Sequence, residues 1–384
     1  MKKSKIIATT LFVIMLMGGI SVYYFSRPKL ETMVGQMIMT GFHGDGMGEN
    51  PEEFAAIKEQ IVRGQIGGVI LFDIDLSGLL AQGMPVAEAK KQIYSSNIKN
   101  LDQVKDLNKQ LQSIAPKKLL IAIDQEGGNV QRLKPGHGFA PTPSAKDLGR
   151  GDAYATYEIA YDLGKRLGDL GFNVDFAPLL DVDVNPESPA IGAMNRSFSA
   201  DEKIVSEHGA AFARGLSDAK IAYSFKHFPG HGSAGTDTHA GITDITNTYQ
   251  DYELTPWKNL LKKPLPQTMV MVAHVVNNNF DTLPASLSYK TIQMVRDMGF
   301  KGVIVSDDMD MGAIANEYGT EKAVEMAIMA GNDILVFGNN LTFDKNRGRD
   351  INKMIVKMVR DGKIPKSRII ESYKRIQKLK KHVR

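Results

Sequence analysis

Cysteine is absent from the 384 residues. Its absence excludes disulfides, thiolate catalysis, cysteine zinc sites and lipid attachment through a cysteine, and leaves the redox compartment open. A large charge imbalance is also missing. Lys and Arg number 47 against 43 Asp and Glu, a formal net charge of +4, much of it at the two ends of the chain. A nucleic-acid binder would show a basic stripe with aromatic or motif support, so no nucleic-acid partner is expected. No glycine-rich dinucleotide or phosphate-loop fingerprint follows the first apolar run, which counts against a doubly wound nucleotide-binding sheet. No internal repeat and no Pro/Ser-rich linker after residue 30 divides the chain, so one domain is expected there.

What is present begins with a long uncharged run. Lys2, Lys3 and Lys5 precede the apolar residues 6–25, and Arg27-Pro28-Lys29 follows them. A stretch of about 20 apolar residues is long enough to cross a bilayer. The cationic flank places residue 1 in the cytoplasm and everything after the run on the far side. No small-x-small cleavage site follows, and Tyr23, Tyr24 and Phe25 form an interfacial aromatic anchor. Residues 1–29 therefore read as a single-pass signal anchor in the cytoplasmic membrane, with a cleaved signal peptide and a secreted protein as the alternative. Residues 30–384 read as an extracytoplasmic domain.

Short apolar runs then alternate with helical stretches. The expected strands are Val34–Thr40, Ile66–Phe72, Leu119–Asp124, Phe172–Phe176, Ala222–His227, Thr268–His274, Gly302–Asp307 and Asp333–Phe337. Helices are expected at about 92–114, 153–169, 201–217, 288–297, 320–329 and 349–360. Continuously apolar strands separated by helices indicate a parallel sheet covered on both faces. Eight of them favour a single (β/α)8 barrel.

Four of these runs end on titratable side chains: Asp124, the pair Lys226-His227, His274, and the pair Asp307-Asp308. In a barrel those ends share one rim, where barrel enzymes keep their chemistry. The run that ends at Lys226-His227 leads into the densest cluster of the chain. Lys226-His-Phe-Pro-Gly-His-Gly232 continues to Asp237-Thr-His239, and places three of the eight histidines within thirteen residues. Pro229 and Gly230 end the strand there, and Gly230, Gly232 and Gly235 suggest a mobile loop. Carboxylates, cations and imidazoles on one rim suit glycoside hydrolysis. A carboxylate can stabilise or attack the oxocarbenium-like centre while a proton donor serves the leaving oxygen.

The chain resembles family 3 glycoside hydrolases of the NagZ-type β-N-acetylglucosaminidase branch over roughly residues 31–345. Val34–Phe42, Ile66–Phe72, Ile123–Leu133, Phe176–Val182, Asn195–Phe198, the Lys226–His239 segment and Val305–Met309 carry the resemblance. It implies an exo-acting, retaining enzyme that removes terminal β-linked N-acetylglucosamine, with peptidoglycan fragments as the expected substrates and no cofactor or metal. Carried over residue by residue, it makes Asp307 the nucleophile and His239 the general acid/base, supported by Asp237. Asp124, Arg132, Arg196, Lys226 and His227 would hold the sugar hydroxyls. The usual Asp-Ser-His reads Asp237-Thr238-His239 here, Thr243 stands where proline is common, and residues 76–96 are unmatched. A β-glycosidase of other sugar preference and a catalytically inactive glycan-binding barrel are the alternatives. The resemblance says nothing of oligomeric state.

Several residues also have plainer readings. His231 can support its loop by hydrogen bonding, Glu126 can bond backbone or an arginine, and Asp308 can cap or support. His274 suits a core or a rim position equally. The Pro229-Gly230 break argues against the helix that a His-x-x-x-His zinc site needs. Trp257 reads as a packing residue at a helix start. The basic end Lys374–Arg384 reads as a solvated helix face, or as a contact for anionic lipid.

Overall fold

In the computed structural model, which describes residues 28–81, 84, 96–238 and 241–384, eight parallel strands close into a barrel. They are β1 (Ile38–Thr40), β2 (Gly68–Ile70), β3 (Leu120–Ile123), β4 (Val174–Asp175), β5 (Ala222–Phe228), β6 (Thr268–Val272), β7 (Val303–Asp308) and β8 (Ile334–Phe337). Each pairs with its neighbours in sequence, and β8 pairs with β1, Ile38 opposite Leu335. Residues of β5 and β6 are buried throughout, as expected of strands with helices outside and packed side chains within. The expected barrel is therefore present, with most strands shorter than the apolar runs, β5 and β7 excepted.

The largest departure is at the first run. Leu30–Gly35 is a helix, and the strand begins only at Ile38. Leu30, Met33, Val34 and Met37 recur at helical spacing, and the last three are buried against the core. The helix expected from residue 92 starts at Leu101, where the Asn100 side chain accepts from the Gln103 amide at 3.0 Å. Residues 85–95 lie outside the described residues. Trp257 is fully buried edge-on to Phe228, with ring centroids 5.1 Å apart, and packs as expected.

The basic C-terminal end proved to be structural on one side. Helix Lys366–Lys380 lies across the floor of the barrel, where the strands begin. Its Arg368, Ser372 and Arg375 side chains reach the buried carboxylate of Asp333, just before β8, at 3.1, 2.7 and 3.1 Å. Arg296 adds a bond of 2.9 Å. Burial alone would raise this carboxyl's pKa, but Arg368, Arg296 and Arg375 together hold it below the ordinary value. At the other end of the helix, Lys380 Nζ donates to Gln36 Oε1 at 2.7 Å and to the Gly67 carbonyl at 2.9 Å. The floor residues of β1, β2 and β8 are thus tied to one helix.

The expected membrane anchor falls on residues 1–27, outside the described residues. Among the described residues no helix is long and apolar enough to cross a membrane.

Candidate active site

The strand ends deliver their polar side chains to one rim. At its centre lies a chain of alternating charges. Lys226, at the end of β5, donates to Asp124 Oδ1 at 3.0 Å and to Glu126 Oε1 at 2.6 Å. Arg196 grips Glu126 through two parallel bonds of 2.8 and 2.7 Å, the fork geometry that a guanidinium offers a carboxylate. Arg132 reaches Asp124 Oδ2 at 3.3 Å and lies over the Phe72 ring. Three cations therefore enclose two carboxylates. Burial would push both carboxyls up, but the neighbouring cations win. Lys226 and Arg132 hold Asp124 below its ordinary range, while Arg196 and Lys226 bring Glu126 down to about 2. Lys226 is raised in turn, because Glu126 and Asp124 outweigh the burial of its amine. Both carboxylates are ionised at any working pH. The Arg132 Nε atom is buried with no acceptor among the described residues.

A second motif adjoins the first. Asp181, fully buried after β4, accepts from the His227 amide at 3.2 Å, from His227 Nδ1 at 2.7 Å and from the His231 amide at 2.8 Å. The His227 bond leaves Nε2 facing the rim, 3.5 Å from Arg196. One carboxylate thus orients the imidazole and anchors the loop beyond Pro229. His231 fills a loop-supporting role. Burial, then the proximity of His227, lowers its pKa to about 4, so its ring is neutral.

The glycine loop divides into two parts. Gly230 through Ala234 are buried, and a Cβ on Gly232 would sit 1.7 Å from the Val182 carbonyl. Only glycine fits that approach. The expected loop mobility therefore does not extend to this base. Beyond it, Gly235 and Thr236 are exposed and Asp237 is half-buried. The Thr238 carbonyl then accepts from the Ala313 amide at 3.3 Å. That bond brings the end of the loop beside the segment that follows β7. His239 lies outside the described residues.

Asp307 and Asp308 close β7. The pairing of β7 with β8 breaks register between Val305 and Asp308, and that of β5 with β6 breaks between Phe225 and Phe228. Both irregularities fall where site residues leave the sheet. Asp307 is half-buried, and its Oδ1 accepts from the Asp308 amide at 2.8 Å. The Asp308 carboxyl turns away and accepts from the Gly338 and Asp310 amides at 2.7 and 3.0 Å. Burial and the charge of Asp310 raise its pKa, so it resides largely as the neutral acid. A neutral carboxyl is a poor nucleophile, which leaves Asp308 the supporting role. His274 is fully buried, bonded to Ser286 Oγ at 2.7 Å and to the Asp308 carbonyl at 2.9 Å. It braces the strand end that carries Asp307 from the core.

The sequence pattern described as "Glycosyl hydrolase family 3 N terminal domain" matches residues 29–379. The chain belongs to this family. A glycoside hydrolase family 3 β-N-acetylglucosaminidase from Paenibacillus sp. strain FPU-7 superposes with a TM-score of 0.79 at 31% identity, covering 93% of this chain and 63% of that one. A family 3 glycosyl hydrolase of Mycobacterium smegmatis superposes with a TM-score of 0.73 at 29% identity, over 94% and 99% of the two chains. Among curated relatives, the Beta-hexosaminidase of Shewanella frigidimarina is 36% identical over 287 residues, 70% of this chain and 81% of its own. Beta-hexosaminidase A of Pseudoalteromonas piscicida is 31% identical over 352 residues. Those residues are 84% of this chain, and the chain spans about half (54%) of that relative's length.

The family 3 barrel thus brings Asp124, Arg132, Arg196, Lys226 and His227 into one connected cluster, with Asp307 and Asp237 on the same rim. Two participants had no assigned role in the sequence reading. Asp181 was visible as the lone charge in Phe176-Ala-Pro-Leu-Leu-Asp181, a signal that a buried partner awaits it. Asp175, fully buried and accepting from the Gln125 amide at 2.9 Å, looked like an ordinary strand residue. Among the described residues, no three His, Asp or Glu side chains converge to hold a metal ion.

Proposed function

We propose that this protein is a retaining exo-β-N-acetylglucosaminidase. It removes terminal β-linked N-acetylglucosamine, and its natural substrates are peptidoglycan fragments. The cluster of Asp124, Arg132, Arg196, Lys226 and His227 carries the reading. It offers a dense alternation of fixed donors and acceptors, suited to the vicinal hydroxyls of one terminal sugar. The relatives named β-hexosaminidases support the sugar assignment.

In the first step an Asp307 oxygen attacks the anomeric carbon as the glycosidic C–O bond breaks. His239, held by Asp237, gives a proton to the leaving oxygen. In the second, His239 takes a proton from water, the water oxygen bonds the anomeric carbon, and Asp307 leaves as carboxylate. Two displacements return the starting configuration. The domain is residues 30–384, and residues 1–29 anchor it to the cytoplasmic membrane with the barrel on the outer side.

Nitrophenol release by the full-length protein from an aryl β-N-acetylglucosaminide and an aryl β-glucoside, with chelator present, tests the reading. Turnover of the acetamido sugar alone, lost in Asp307→Ala, is expected. Preference for the glucoside would overturn the sugar assignment, and undiminished turnover by Asp307→Ala would overturn the mechanism.

A further inference from the structure

The floor of the barrel, opposite the active-site rim, carries a charge pattern that catalysis does not use. Helix Lys366–Lys380 shows the barrel its Ile369, Ser372, Ile376 and Leu379 side chains, all buried. Its other side exposes Lys374 and Lys378, continued by Lys381. These recur at spacings of four and three, one stripe along a helix. Two exposed acids on this face are already paired: Glu371 with Arg375 at 2.5 Å, and Asp169 with Arg384 at 3.2 Å. The loop before β6 adds the exposed Lys263. Beside the helix, a cavity of about 420 Å³ opens between the starts of β2 and β3. Lys29, Arg63, Lys117 and Lys118 line it and no carboxylate does, although Arg63 is paired with the exposed Glu59 beside it at 2.8 Å.

The chain enters on this same face. Helix Leu30–Gly35 leads to Gln36, which Lys380 holds at the floor. Only residues 26–29 separate that helix from the apolar run ending at Phe25. Four residues, fully extended, reach at most about 14 Å. If residues 6–25 occupy a bilayer, the start of that helix lies within two screening lengths of its surface, each about 8 Å at physiological salt. An anionic surface at that range attracts lysines. The stripe has no exposed apolar side chains between its lysines, so the contact is with headgroups rather than acyl chains.

We infer that the barrel floor, with the Lys374–Lys378–Lys381 stripe at its centre, is a docking surface for anionic phospholipid headgroups, which sets the active-site rim facing away from the membrane. The inference rests on the anchor reading given above. It converts a flexible tether into a fixed orientation, with the rim presented to glycans beyond the membrane.

The test uses the full-length protein with vesicles of phosphatidylcholine alone, or of phosphatidylcholine with phosphatidylglycerol. Amine acylation followed by mass spectrometry reads each lysine. On the anionic vesicles, Lys263, Lys374, Lys378 and Lys381 should label severalfold more slowly than on neutral ones, and high salt should remove the difference. Each surface lysine contributes about fivefold to such a contact. The K374Q/K378Q/K381Q variant therefore loses about a hundredfold, and its Lys263 should label equally fast on both vesicles. Flotation with neutral vesicles reads the anchor separately. If the protein floats with neutral vesicles but labels identically on both compositions, the docking surface is overturned and the anchor stands. If it does not float with neutral vesicles, the anchor reading fails. Binding to anionic vesicles alone, lost in the triple variant, would then still support the surface, and binding to neither would overturn it.

Discussion

Replacing Glu126 by Gln removes one charge from the most densely coupled part of the molecule, and the consequence can be worked out in advance. Glu126 is buried between Arg196 and Lys226, with bonds of 2.6 to 2.8 Å. Its carboxyl is brought from an ordinary 4.5 to about 2. A displacement of that size is worth about 3 kcal/mol of folding stability at neutral pH. Removing one member of a buried ion pair costs about 3–5 kcal/mol in general, because the stranded cation stays buried. The two routes agree, and Gln is close in shape to the protonated acid. The carboxyl is depressed in the folded state, so its contribution is fully present above about pH 4.5 and fades as pH falls toward 2. Urea unfolding of wild type and Glu126→Gln at pH 7, 5 and 3 should show a gap near 3 kcal/mol at pH 7. The gap should narrow at pH 3. An equal gap at all three pH values would refute the reasoning, since it would trace the loss to packing rather than charge.

Three further outcomes follow from the same geometry. Asp181→Asn loses the charge that accepts three N–H donors from His227 and His231; at about 1.5–3 kcal/mol for a bond to a charged group, steady-state kinetics should show kcat/KM lowered about 10- to 100-fold. Glu253 is buried, and burial raises its carboxyl to about 7. The fold therefore favours its protonated form, and wild type is penalised as pH rises from about 4.5 through 7. Glu253→Gln should melt at the same temperature as wild type at pH 4 and several degrees higher at pH 8.5, a gain of about 2–3 kcal/mol. Gly232→Ala forces a Cβ within 1.7 Å of the Val182 carbonyl; calorimetry should show a loss of at least about 2 kcal/mol, together with reduced turnover as the loop base shifts.

Much of this was legible in the residues themselves. Eight short, continuously apolar runs read as buried strands, and helices between them favoured parallel pairing. Asp124, Lys226-His227 and Asp307 close such runs, so closure of the barrel was enough to gather them on one rim. The Leu30–Gly35 helix shows the limit of that reasoning. Its apolar residues satisfy helical spacing as well as they satisfy a buried strand, and only packing against the core chose between them.

Composition and order along the chain determined the fold class, the rim and the chemical types on it. They could not determine which charge faces which. Arg196 precedes Lys226 by thirty residues, yet both close on Glu126, because the exits of β4 and β5 are adjacent and each cation reaches the carboxylate directly. Asp181 became the holder of His227, Asp308 the neutral neighbour of Asp307, and Lys374–Arg384 the floor of the barrel through long-range contacts alone. A charge acquires its role from the partners and the burial it meets, and those exist only once the chain has closed.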